Sequence, residues 1–266
     1  MLPFTETFLT FVGSTVIPAI GGLVLVAVPG RWVGTRYVTA FAIGIFFWFF
    51  VDTIEGSAKL DVNAGFAGGA AQAAEVLLFL VGALLFFSAD KAVFSQEPTK
   101  LGHGFVTPML AALAIGIHGF GEGAAFGSLA SLTSSTSLLD AMGGLSAGVA
   151  YVFHKILEPM IIGALYVSYF DSSTKRMQGR MNEILFLTLL FVLPSAIGVA
   201  IGYFIPHDVT YSFALATGTS TYVAFRLSRQ VFSDRTTSGR YESIKVSLAL
   251  IIGVMIIYFA SLFHSA

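Results

Sequence analysis

The chain has 266 residues, of which 56% are hydrophobic and only 11% charged, with a mean hydropathy of +0.83. Soluble domains carry about 25% charged residues, so the deficit points to lipid as the solvent and to an all-α, polytopic membrane protein. A net charge of −1 leaves no basic face for nucleic acid, and the absence of cysteine excludes disulfides, Fe–S clusters and thiolate metal sites.

A membrane span needs about 20 apolar residues, and eight such runs follow one another at about 8–28, 35–55, 71–93, 105–130, 139–168, 183–205, 210–230 and 243–264. The first run lies in MLPFTETFLTFVGSTVIPAIGGLVLVAVPGRW, which lacks a basic leader and places Glu6 ahead of the apolar stretch. That pattern predicts a retained span rather than a signal peptide. Pro29-Gly30, the Asp61–Gly69 stretch, Glu97-Pro98 and SLTSSTS separate the first five runs. The expected organisation is one transmembrane domain over residues 1–266, an eight-helix bundle.

Twelve of the fourteen lysines and arginines fall in the odd-numbered connections: Arg31 and Arg36; Lys91 and Lys100; Lys175, Arg176 and Arg180; then Arg226, Arg229, Arg235, Arg240 and Lys245. The positive-inside bias puts these connections in the cytoplasm and both termini outside, as in a multi-pass protein of the plasma membrane.

A charge at the bilayer centre costs at least about 2.5–3.5 kcal/mol, so each one there needs a partner, water or a function. Span four carries His118 and Glu122 in AIGIHGFGEGAAFG, and span five carries His154, Lys155 and Glu158 in YVFHKILEPM. Residues four apart share a helix face, so His118/Glu122 and His154/Glu158 are two pairs. Spans four and five are sequential and antiparallel, and both pairs lie near mid-span. If the two faces meet, His118 comes level with Glu158 and Glu122 with His154. Two imidazoles and two carboxylates suit zinc, iron, manganese or cobalt, and the carboxylates neutralise the dication in low dielectric. One such pair alone reads equally well as an interhelical hydrogen bond, whereas two at matching depth favour a metal site.

Lys155 beside them needs a carboxylate partner, Glu158 or Glu122. Asp52 and Glu55 in VDTIEG stand at the expected outer mouth of span two, where acids would concentrate cations. Gly116, Gly119, Gly121, Gly123 and Gly127 suggest close helix approach in span four. Pro159 and Pro194 are expected to free carbonyls and kink spans five and six. The run ATGTST at 216–221 either lines water or bonds neighbouring helices.

HGFGEG at 118–123 and HKILEP at 154–159 resemble the motifs of the ZIP family of divalent metal transporters. FFWFF at 46–50, LVGALLFFSAD at 80–90 and GVMIIYF at 253–259 are weaker echoes, so the likeness runs over most of the chain. The resemblance implies eight spans, outer termini, and His118, Glu122, His154 and Glu158 as transport-site ligands for a metal dication moving into the cytoplasm. The metal is then substrate, no organic cofactor or enzymatic chemistry is expected, the lipid bilayer is a partner, and a homodimer stays open.

The chain departs from that family at four places. Gly119 stands where the family commonly has Asn, Lys155 where it often has another ligand, VLPSAIG at 192–198 where span six typically offers Glu, and the connection after span three holds only His103. In relatives with two adjacent metals the second uses the residues replaced here, so one metal is expected, with Lys155 as a tethered cation. Two other readings stand beside this one. Lys155 could carry retinal in a photoreceptor or pump, walled by some of the 26 phenylalanines, or the His/Glu pairs could relay protons in a proton-coupled solute carrier.

Overall fold

A computed structural model describes residues 2–27, 37–47, 70–94, 105–133, 137, 139, 144–170, 177–206, 209–232 and 240–261. Among these residues the protein is all-helical, as lipid requires of backbone that must pair its own polar groups. The helices are α1 (Phe4–Ala27), α2 (Tyr37–Phe47), α3 (Ala70–Phe94), α4 (Val106–Leu132), α5 (Leu145–Phe170), α6 (Met177–Phe204), α7 (Thr210–Phe232) and α8 (Arg240–Ser261). Seven match the expected runs to within a turn or two, and α2 covers the first part of 35–55. The remainder of that run, with Asp52 and Glu55, lies outside the described residues. Helices α1, α3, α4, α5 and α6 are long and apolar enough to cross a membrane; α2 and the Ile244–Ile256 part of α8 are shorter apolar helices.

Burial separates inner from outer helices. Two thirds (67%) of the apolar windows of α4 and α5 are buried, against 28% for α1 and α6 and 11% for α3. The chain therefore wraps its two histidine-bearing helices in the others. The outer faces carry large exposed apolar residues such as Leu77, Leu84, Leu189 and Met255, which fits a lipid-facing surface.

The glycines of α4 do bring a helix close, but chiefly α6 rather than α5. A β-carbon at Gly123 would lie 2.2 Å from the Ser195 carbonyl oxygen, and one at Gly127 2.2 Å from that of Val199. From the other side, Gly198 and Gly202 of α6 leave a similar clearance for the Phe120 and Ala124 carbonyls of α4. Small residues on both partners let the backbones touch, which in lipid supplies the dispersion contact that hydrophobic burial cannot. Gly22 of α1 and Gly163 of α5 join that pair of helices by the same reciprocal device. Gly121 alone on α4 turns towards α7, where a β-carbon would touch Phe213 and Ser212.

Helix α1 widens into a π-turn at Val12–Val16. Its Thr15 points inward and pairs with the Tyr151 hydroxyl of α5 at 2.9 Å. Both α5 and α6 run as continuous helices through Pro159 and Pro194. Three hydroxyls of the α7 run turn back on their own helix: Thr217 donates to the Phe213 carbonyl, Thr219 to Ala216 and Thr221 to Thr217, at 2.7–2.8 Å. That satisfies three of its polar side chains without water or a neighbour.

Near the N-terminus, Leu2 N–H donates to the Ala130 carbonyl at 3.1 Å and the Tyr203 hydroxyl donates to the Leu2 carbonyl at 2.6 Å. Leu2, Phe11, Phe126, Tyr151 and Tyr203 share a small apolar cluster there, one helical turn beyond Glu122.

Candidate metal centre

The middles of α4 and α5 meet with their polar faces together. His118 Nε2 lies 3.3 Å from Glu122 Oε1 on its own helix and 3.4 Å from Glu158 Oε1 across the interface. His154 Nε2 lies 3.0 Å from Glu158 Oε1 and 3.8 Å from Glu122 Oε1. All four ligand atoms fall within 4.8 Å of one another. Zinc bonds of about 2.0–2.1 Å in a tetrahedron give edges of about 3.3–3.4 Å, so the four histidine–glutamate distances lie near those of a four-coordinate shell, and the wider separations in the set would have to contract around an ion. The level pairing expected from helix spacing, His118 with Glu158 and Glu122 with His154, is present.

Local helix geometry explains the convergence. Side chains four apart on a helix stack on one face, so each helix contributes an imidazole and a carboxylate in a column. Antiparallel packing inverts one column against the other, and each carboxylate then faces the partner's imidazole. Among the described residues, the buried histidines, lysines and acids are His118, His154, Lys155 and Glu158, and all four belong to this cluster. Glu122 is the most open ligand, with 17% of its side chain exposed. The His118 ring lies 5.4 Å from the Phe213 ring of α7, which walls the site on that side.

Lys155 engages both carboxylates, which settles the choice between Glu122 and Glu158. Its Nζ donates to Glu158 Oε2 at 2.8 Å and to Glu122 Oε2. Each carboxylate therefore divides its oxygens, Oε1 to the imidazoles and Oε2 to the ammonium. The Tyr151 ring lies 5.6 Å from Nζ, a cation–π contact. A cavity of about 20 Å³ adjoins this side of the cluster, bordered by Thr15, Gly119, Glu122, Lys155, Glu158 and Ser195 among others. It has room for about one water.

Three neighbours were not singled out from the sequence: Thr15, Tyr151 and Ser195. Tyr151 is one helical turn before Lys155 and is legible by that spacing; Thr15 and Ser195 come from distant helices and carry no local signal. Ser195 also gives Gly119 a steric reason. A β-carbon at Gly119 would lie 2.1 Å from Ser195 Oγ, so the space beside that glycine belongs to α6. Asp52 and Glu55, expected at the entrance, lie outside the described residues.

No protein-family model matches the chain, and no curated protein sequence matches it.

Proposed function

We propose that the protein is a ZIP-like carrier of a divalent transition metal of the zinc, iron or manganese type. In this reading it crosses the plasma membrane eight times with both termini outside and moves the ion into the cytoplasm. The observation that carries the proposal is the four-atom set of His118, Glu122, His154 and Glu158, with histidine–glutamate distances of 3.0–3.8 Å. A dication there meets two neutral nitrogen donors and two anionic oxygens, a set that suits borderline metals better than calcium or magnesium.

The ion is drawn in past Asp52 and Glu55, exchanges its hydration shell for the four ligands, and leaves towards the basic cytoplasmic face as the bundle rocks or bends. Ligands drawn from two helices suit that task, since a small shift of α4 against α5 opens the shell without unfolding either helix. Phe126, one turn from Glu122, stacks on Tyr151 with ring centroids 6.3 Å apart, which makes an apolar layer beside the site.

The test is the metal content of the purified protein, wild type against His118→Ala and Glu158→Ala. About one equivalent of zinc, iron, manganese or cobalt, lost in both variants, is the expected result. Failure of the wild type to bind any of these at neutral pH refutes the proposal.

A further inference from the structure

We infer that Lys155 is a resident counter-cation of the transport site: its ammonium competes with the incoming dication for the two carboxylates and keeps binding weak enough for release. The inference rests on the carrier reading above and adds a determinant of affinity to it.

Three features of the structure support it. First, the ammonium lies between Glu122 Oε2 and Glu158 Oε2, while both Oε1 atoms face the imidazoles. The carboxylate pair thus presents two cation positions, and a covalently attached cation fills one of them. Second, the lysine is seated by more than charge. Its side chain is 3% exposed, its Nζ faces the Tyr151 ring, and Tyr151 is anchored by Thr15 from the π-turn of α1. π-Turns recur at functional positions, and this one places its inward hydroxyl one residue-layer from the site. Third, the cavity bordered by Thr15, Gly119 and Ser195 lies beside the ammonium and leaves it somewhere to withdraw when the dication arrives.

Charge arithmetic gives the consequence. With neutral imidazoles, two carboxylates and one ammonium leave the empty site at −1, and a dication takes it to +1. Without the ammonium the same states are −2 and neutral. The lysine therefore disfavours the loaded state and favours the empty one, in a region where charge interactions are little screened. A carrier must return empty, and a site at −1 crosses low dielectric more readily than one at −2. Lys155 trades affinity for turnover.

The experiment is zinc and manganese titration of the detergent-purified full chain, wild type against Lys155→Met and Lys155→Gln, with uptake of the same ions in liposomes. Both variants are expected to bind at least about tenfold more tightly, still with one equivalent, and to turn over more slowly at saturating metal. Lys155→Glu supplies an independent readout, since an acid beside the cavity is expected to raise the stoichiometry to two. The Gln variant retains a hydrogen-bond donor between the carboxylates, so it reports on charge if the Met variant does not fold. Unchanged or weaker binding in the neutral variants that fold overturns the inference and assigns Lys155 a purely structural tie between α4 and α5. A wild type that binds neither metal is a different outcome, which removes the carrier reading itself.

Discussion

Two polar stretches interrupt the apolar helices, and they are resolved in opposite ways. On α7, Thr217, Thr219 and Thr221 return their hydroxyls to carbonyls three or four residues earlier in the same helix. On α4 and α5, a carboxylate cannot be silenced by a neighbouring carbonyl, because it has only acceptors and brings a charge, and an imidazole that gave its N–H to a carbonyl would still have a second nitrogen to satisfy. Those residues meet across the interface instead, with Lys155 completing the set. The difference teaches that polarity in a membrane helix marks a site only when the local backbone is unable to satisfy it.

Substitutions can sharpen or break that contrast. The largest effect is expected at Glu158→Gln, which keeps the shape but removes one anionic ligand and one partner of Lys155: metal affinity in a titration should fall at least about 100-fold. If α7 rather than the α4/α5 cluster carried the cargo, this variant would bind normally. Gly123→Leu comes next. Its side chain would enter the space of the Ser195 carbonyl, and overpacking of about 1–3 kcal/mol or more should lower the thermal midpoint and the yield of monodisperse protein.

Gly119→Ala is a milder case with a built-in rescue. The added methyl meets Ser195 Oγ, so it should cost about 1 kcal/mol alone and much less in Ser195→Ala protein, where the nearest remaining Ser195 side-chain atom is 3.4 Å away. Additive costs in that double-mutant cycle would show that the clash is not the reason for the glycine. The smallest effect belongs to Thr219→Val on α7. Loss of a hydroxyl bond that only returns to its own helix should change stability by well under about 1 kcal/mol, and metal affinity should stay unchanged. A clear loss of affinity there would make α7 part of the ion path and erase the contrast.

Much of the centre is legible in the order of residues alone. His118, Glu122, His154 and Glu158 stand out because an apolar helix advertises each ionisable residue, and four-residue spacing assigns it a face. Lys155 is legible as a group in need of a carboxylate, though not as one shared by two. The glycines of α4 are legible as a sign of close packing, but the partner is not: spacing shows which face is small, and α6 rather than α5 occupies most of it. Thr15 and Ser195 leave no trace because a hydroxyl in a membrane helix normally satisfies itself, as Ser195 does by donating to the Phe191 carbonyl at 3.0 Å.

By itself the sequence determined the solvent, the helical class, the approximate limits of the helices and the four candidate ligands, since all of these follow from hydropathy and the period of the α-helix. Only the tertiary structure decided how each carboxylate shares its oxygens between imidazole and ammonium, which helix fills the glycine face of α4, and that α1 reaches the site through Thr15. Those outcomes depend on contacts between helices far apart in the chain, and no local period encodes which distant surface will arrive.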